Sequence, residues 1–166
     1  MHKKGHYGAA LLGYAPLGTI VLAAGFDAAA LAGGIVTVAL AMVPDLDMRL
    51  PGVSHRGPTH TVHFALSVGL GVGLLAGALV LVGDAPLPAA VGATVFMFAT
   101  GALAIGSHIA ADALTPMGVE PLGTGGPHYS VGVARAANPL ANYGLLALGI
   151  AAVLVGATVA GAIGRV

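Results

Sequence analysis

Residues 61–83 read TVHFALSVGLGVGLLAGALVLVG, an apolar run interrupted only by His63. A helix needs about 20 apolar residues to cross the hydrocarbon core of a bilayer, so this run predicts a transmembrane helix. Four further apolar runs lie at residues 7–26, 28–43, 85–111 and 136–164, the last with its helix expected to start near Pro139. The sequence therefore predicts an all-α integral membrane bundle of about five transmembrane helices.

The composition agrees with a chain surrounded by lipid. Of 166 residues, 57% are hydrophobic and 7% are charged, whereas a soluble domain carries about 25% charged residues. A water-soluble enzyme, a disordered tail and a coiled coil are therefore disfavoured. Five spans leave room for one domain, residues 1–166, without detectable repeats. No convincing cleavage site follows the first apolar run, so we expect an uncleaved helix there and not a signal peptide.

Charge and cysteine usage narrow the function further. The formal net charge is +0 and the chain has no Cys. A neutral chain offers no electrostatic attraction to nucleic acid, so no nucleic-acid partner is expected. Disulfides and thiolate metal ligands are excluded.

Small residues recur every four positions in two of the predicted helices. Gly69, Gly73 and Gly77 form one such series, and Gly156 and Ala160 begin another. Small residues at this spacing let helix backbones approach closely in lipid. They indicate either packing within one bundle or the face of a homodimer.

The polar residues are predicted to collect on one membrane face. Because five helices alternate in direction, the N-terminus, the connection between helices two and three, and the connection between helices four and five share a face. That face receives His2, His6, Asp45, Asp47, His55, His60, His63, His108, Asp112, Glu120 and His128. The opposite face keeps only Asp27, Asp84 and Arg165. A random distribution would split between the faces, so this asymmetry indicates a functional site.

The basic residues predict the orientation of that site. The histidine-rich face also carries Lys3, Lys4, Arg49, Arg56 and Arg135, against Arg165 on the other. The positive-inside rule places the richer face in the cytoplasm, in an inner or plasma membrane. Arg49 and Arg56 could instead serve the site, which would remove them from the count.

Two carboxylates follow the second apolar run in the sequence Pro44-Asp45-Leu46-Asp47. A carboxylate at a helix C-terminus opposes the helix dipole, so these residues are not there for capping. In an irregular turn they can bind one cation or bridge two. A solvated turn is the alternative.

His55 and His60 bracket a turn in the sequence HRGPTHT at residues 55–61. Imidazoles near a helix N-terminus are better placed as neutral ligands than as cations. Arg56 carries a fork of donors suited to phosphate, or it could extend to the interface as an anchor. His63 is expected to hydrogen-bond within the bundle, and His2 and His128 to be solvated.

His108 and Asp112 stand at i and i+4 near the end of the fourth run. That spacing places both on one helix face, where they can bind one metal or simply each other. His6, just ahead of the first run, reaches the same membrane face. Together the predicted ligands are His6, Asp45, Asp47, His55, His60, His108 and Asp112.

Seven nitrogen and oxygen ligands exceed what one tetrahedral ion uses. They suit two ions about 3.5–4 Å apart, as in phosphoester hydrolysis. A mixed imidazole and carboxylate set favours Zn²⁺, with Mn²⁺ or Fe²⁺ as alternatives, over Ca²⁺ or Mg²⁺.

The combination of motifs resembles the YdjM family of inner-membrane metal-dependent hydrolases, which are also described as LexA-binding. The resemblance rests on GH at 5–6, PDLD at 44–47, HRGPTHT at 55–61 and SHIAADALTPMGV at 107–119. Order and approximate spacing agree along nearly the whole chain. His63 stands where the family is usually apolar, so it is not counted as a ligand. The resemblance implies a His/Asp metal site and hydrolase activity similar to that of zinc-dependent phospholipase C enzymes.

These observations predict a membrane-embedded hydrolase that acts on a phosphoester, such as a phospholipid headgroup, through metal-activated water. Asp47, Arg56 and Asp112 are the predicted catalytic residues. Lipid is then both solvent and possible substrate. A non-catalytic metal-binding regulator or sensor is the main alternative. A metal transporter ranks last, because helices one, two and five carry almost no polar residues in their far halves.

Overall fold

The computed structural model describes residues 1–164 and is built from five α-helices. They are α1 (Lys3–Ala23), α2 (Asp27–Leu40), α3 (Val62–Val82), α4 (Leu87–Ala113) and α5 (Pro139–Ile163). Two 3-10 helices, Pro44–Arg49 and Pro58–His60, lie between α2 and α3. Residues 1–164 contain one isolated antiparallel bridge, Val119 to Tyr129, and no strand. The predicted all-α fold class is confirmed.

All five segments are long and apolar enough to cross a membrane, the second running over Asp27–Arg49. Their outward faces are apolar as well. On α3, for example, Leu70, Leu74 and Leu81 are exposed. A surface of this kind is stable in lipid and not in water, so the chain is a multi-pass membrane protein.

The second helix is shorter than its apolar run, because α2 ends at Leu40 while the run continues to Val43. Pro44 explains the difference, since a proline has no N–H to donate and its ring clashes with the carbonyl four residues earlier. The chain continues as a 3-10 helix that carries Asp45 and Asp47. The early end of α2 brings these carboxylates beside the last turns of α4.

The helices pack through small residues. α1 packs chiefly on α5 and α3 on α4, while α1 and α2 both contact α4. A Cβ atom added at Gly69 or Gly73 would lie 2.6 Å from a carbonyl oxygen of α4. Gly156 of α5 is likewise buried against α1. Both small-residue series therefore pack within one bundle, the first of the two predicted alternatives.

The connection between α4 and α5 is tied to the end of the bundle where α3 begins. The Val62 N–H donates to the Pro121 carbonyl at 2.8 Å, and the Val131 N–H donates to the Ala113 carbonyl at 2.8 Å. Val119 packs into a buried cluster with Ala65, Ile105 and Ile109. The connection therefore covers one end of the bundle, and the short turns before Asp27 and at Asp84 form the other end.

Candidate metal centre

The covered end of the bundle gathers polar side chains from four parts of the chain. His6 lies in the first turns of α1, Asp45 in the first 3-10 helix and His60 at the end of the second. His108 and Asp112 lie one turn apart near the end of α4. The side chains of the three histidines are fully buried, and Asp112 is 1% exposed. Because burying a polar group without a partner is costly, this concentration indicates a site.

Four of these residues form a first ligand set. His6, Asp45, His108 and Asp112 each offer an atom, and these atoms all lie within 4.8 Å of one another. His108 Nε2 is 3.3 Å from Asp45 Oδ1, and His6 Nε2 is 3.5 Å from Asp112 Oδ1. The rings of His6 and His108 stack with their centroids 3.7 Å apart. Three segments distant in sequence thus converge on one small volume.

A second ligand set adjoins the first. It consists of Asp45, His55 and His60, whose ligand atoms again lie within 4.8 Å of one another. His60 Nε2 is 3.6 Å from Asp45 Oδ1 and 3.2 Å from His108 Nε2. Asp45 belongs to both sets, so six side chains form one continuous cluster.

Asp47 lies behind two of the histidines and belongs to neither ligand set. Its Oδ1 is 3.0 Å from His55 Nδ1, and its Oδ2 is 3.4 Å from His60 Nδ1. Oδ2 also accepts from the Thr59 hydroxyl at 2.8 Å and from the Arg56 backbone N–H at 3.2 Å. A carboxylate on the Nδ1 side of an imidazole fixes the orientation of the ring and presents Nε2 to a metal. The structure thus places this predicted ligand in a position suited to orienting the ligands.

His108 is oriented in the same way by a backbone carbonyl. Its Nδ1 lies 2.7 Å from the carbonyl oxygen of Ala41. Ala41 follows the last residue of α2, where helix carbonyls have no intrahelical partner. The Nδ1–H of His108 therefore donates to this carbonyl, and its Nε2 faces Asp45.

The Arg56 guanidinium is engaged with protein groups. One terminal nitrogen lies 3.0 Å from Asp112 Oδ1, and the other donates to the Gly118 carbonyl at 2.7 Å and to the Thr115 hydroxyl at 3.2 Å. Its Nε is buried without a hydrogen-bond partner, and its φ angle is +62°. Arg56 therefore joins a carboxylate of the first ligand set to the connection that covers the site.

The chemistry of the cluster fits a divalent cation. Its donors are imidazole nitrogens and carboxylate oxygens, which are ligands that divalent metals use in proteins. Burial lowers the pKa of His60, but the neighbouring carboxylates of Asp112, Asp45 and Asp47 outweigh burial and raise that pKa above its ordinary value. The amino group of Met1 also contacts Asp112. The carboxylates thus favour positive charge at this place, and a buried His/Asp cluster of this composition can hold a metal ion.

The other polar residues of this end lie outside the cluster. His2 and His128 are exposed, as expected. His63 is exposed too, so the expectation that it hydrogen-bonds within the bundle is wrong, because its side chain lies on the outward face of α3. Asn138 caps α5 by accepting from the Ala141 N–H at 3.2 Å. Asn142 is buried and accepts from the His2 backbone N–H at 2.9 Å, which fixes the start of α1 beside α5.

Sequence reasoning missed three groups that support the cluster. They are the hydroxyls of Thr59 and Thr115 and the carbonyl of Ala41. Thr59 adjoins His60, and Thr115 stands three residues after Asp112, so both lie inside the motifs. A backbone carbonyl leaves no signal in the sequence.

Two cavities open beside the cluster. The larger, about 640 Å³, we call the vestibule; its walls include Asp45, His55, Asp112, Lys4, Met48 and Met117. The smaller, about 260 Å³, lies on the side of Glu120 and His128. His55 and Arg56 line both cavities, so the cluster is accessible although most of its ligands are buried.

Comparison of the chain with protein families, curated proteins and solved structures found no match.

Proposed function

We propose that this protein is a membrane-embedded, metal-dependent hydrolase of phosphoesters, with a phospholipid headgroup as the favoured target. One observation carries the proposal: two ligand sets share Asp45 and open onto a cavity of about 640 Å³ at the end of a transmembrane bundle. Paired divalent ions in such a setting are a common arrangement in phosphoester hydrolysis. The resemblance of the motifs to the YdjM family of metal-dependent hydrolases supports the same class.

The proposal assigns two ions to the six ligands. His6, Asp45, His108 and Asp112 would hold one, and Asp45, His55 and His60 the other. Imidazole with carboxylate favours Zn²⁺, and Mn²⁺ or Fe²⁺ are alternatives. When bound, such ions supply Lewis-acid polarisation of a phosphoryl oxygen and a nucleophilic water at neutral pH.

The protein's own residues would orient the ligands and the substrate. Asp47 holds His55 directly through Nδ1, and it holds His60 through the Thr59 hydroxyl, which lies 3.0 Å from His60 Nδ1. Arg56 holds Asp112 through one terminal nitrogen, and because it also lines the vestibule, its guanidinium would be placed to bind a phosphate there. Side chains fixed in this way need no rearrangement during the reaction, which is a main source of catalytic power.

The favoured location is the inner or plasma membrane, with the cluster toward the cytoplasm. Since Arg56 is engaged inside the site, it does not count toward the positive-inside rule. Lys3, Lys4, Arg49 and Arg135 remain exposed at this end, while Arg165, assigned to the opposite end, lies outside the described residues. The excess of positive charge thus supports a cytoplasmic cluster.

The test joins metal analysis of the purified protein to a hydrolysis screen of phospholipids and small phosphoesters. His108→Ala and Asp112→Ala should each weaken metal binding by more than about a hundredfold, because they remove ligands and not merely their supports, and should abolish hydrolysis. Asp84→Ala, in the turn at the opposite end, is the matched control and should retain both. Equal losses in all three folded variants would contradict the site.

A metal-binding regulator is the second candidate. The observation that favours it is the complete burial of His6, His60 and His108, which is typical of closed structural metal sites. The same screen decides between the two: metal-loaded protein that cleaves no phosphoester would support the regulator.

A further inference from the structure

Methionines are concentrated around the vestibule. The chain has five methionines, and Met42, Met48 and Met117 line this cavity together with Met1. Met48 directly follows Asp47 in the first 3-10 helix, whereas Met117 lies in the connection after α4. Two separate segments therefore bring flexible apolar side chains to the mouth of the metal centre.

These side chains are open to a ligand. Met48 is 62% exposed and Met117 is 66% exposed. We call the exposed side chains of Met48 and Met117 the collar. A cleft that bound only a small soluble anion would need no such apolar surface. Methionine is unbranched and polarisable, and it adapts to irregular apolar ligands, so the collar is suited to an alkyl chain.

The same cavity has a basic side. Lys3, Lys4 and Arg56 line it. The Lys4 ammonium donates to the Tyr143 hydroxyl and lies 4.0 Å from the centroid of the Tyr143 ring, which fixes the cation between the starts of α1 and α5. The vestibule therefore places positive charge, the metal ligands and apolar side chains around one volume.

We propose that the substrate is an amphiphilic phosphoester whose alkyl chain lies on Met48 and Met117 while its phosphate reaches the metal cluster beside Lys4. This inference rests on the proposed hydrolase function and adds the surface that binds the alkyl chain of the substrate. Charge complementarity selects the anionic phosphate, and the exposed methionines select a lipid source over a free phosphate. The volume of about 640 Å³ lies within the range of sites that hold a small ligand, enough for a phosphate and the first part of a chain.

The test measures binding of n-alkylphosphonates, from methyl to octyl, to the metal-loaded protein below their micelle concentrations. These probes keep the anion and are not hydrolysed, so the readout does not depend on activity. For each methylene that lies on the collar, the dissociation constant should fall by about three- to fourfold. The double variant Met48→Gln/Met117→Gln should lose most of this dependence on chain length, and Met48→Leu/Met117→Leu should keep it.

Leu50→Gln/Leu122→Gln is the matched control. Both leucines are exposed, lie in the same two connections and are absent from the vestibule wall. This variant therefore removes exposed apolar side chains near the site without changing the vestibule, and it leaves partition of the probes into detergent unchanged. An equal loss in this control, or a wild-type affinity independent of chain length, would overturn the inference while leaving phosphoester hydrolysis intact. Failure of every phosphonate to bind would overturn the proposed function itself. Metal content is measured for each variant, and Met117→Gln alone serves if Met48→Gln disturbs the adjoining Asp47.

Discussion

Asp45 and Asp47 stand two residues apart but meet opposite sides of one imidazole, that of His60. Asp45 faces the Nε2 atoms of His60 and His108, and Asp47 faces the Nδ1 atoms of His55 and His60. A 3-10 helix has three residues per turn, so neighbours at i and i+2 point in different directions. The sequence pattern identified both carboxylates with the site. It could not separate their positions, because this depends on a 3-10 conformation that Pro44 sets and on which nitrogen of each ring faces inward.

Asparagine substitution distinguishes the role of Asp45 as a metal ligand from that of Asp47 as a group that orients ligands. Asp47→Asn should leave the number of bound ions unchanged and weaken their affinity by about 10- to 100-fold, the usual cost of losing a group that orients a ligand. Asp45→Asn should disturb both ions, because Asp45 belongs to both ligand sets. Metal stoichiometry and affinity by titration calorimetry check this. Loss of one whole ion in Asp47→Asn would instead make Asp47 a ligand.

Lysine substitution defines what Arg56 does. A single ammonium cannot contact Asp112, Thr115 and Gly118 as the guanidinium fork does. If Arg56 positions Asp112, Arg56→Lys should weaken metal affinity by about tenfold or more and lower the hydrolysis rate with it. Metal content and turnover are measured on the same preparation. Full metal content with lost turnover would assign Arg56 to the phosphate, and normal values of both would exclude either role.

At the scale of the helices, the apolar runs predicted all five spans, and proline predicted one helix end well and shifted another. Pro139 begins α5 as expected, and Pro44 ends α2 earlier than the run of apolar residues indicates. The sequence could not predict which helices pack together, because the glycine spacing that joins α3 to α4 is equally suited to joining two copies of the chain. Only the positions of the α4 carbonyls decide between these alternatives.

Gly73 and Gly71 provide a matched pair on α3. A Cβ atom at Gly73 would lie 2.6 Å from the Thr94 carbonyl oxygen and 3.0 Å from the Phe98 amide nitrogen, whereas at Gly71 nothing lies within 4 Å. Backbone atoms cannot move aside as a flexible side chain can, so Gly73→Ala should destabilise the bundle by about 1–3 kcal/mol. Gly71→Ala should be neutral or slightly stabilising, given the helix propensity of alanine. Unfolding in detergent measures both, and equal effects would contradict the α3–α4 packing.

At the scale of the molecule, the two ends of the bundle differ. One end holds the cluster and its vestibule, and the other holds two tight turns with Asp27 and Asp84. The alternation of five helices was enough to predict which polar residues share an end. It could not predict which of them touch, because that depends on how far each helix extends and how its ends are capped.

The absence of cysteine makes this asymmetry directly measurable. Thr124→Cys, in the exposed connection after α4, should react with an impermeant thiol reagent only from the cytoplasm. Ala24→Cys, in the exposed turn between α1 and α2, should react only from the other side. Labelling of intact cells and inverted vesicles compares the two, and the reverse pattern would place the metal centre outside the cytoplasm.

The six ligands are synthesised at different times, because they lie in α1, in the α2–α3 connection and in α4. The first ligand, His6, emerges from the ribosome long before the last, Asp112, so no early insertion intermediate holds a complete first ligand set. α5 contributes none of the six ligands, but its Asn142 accepts from the His2 N–H, so docking of the last helix fixes the segment that carries His6. A metal bound by the complete ligand set would therefore link α1, the α2–α3 connection and α4, which are synthesised at different times.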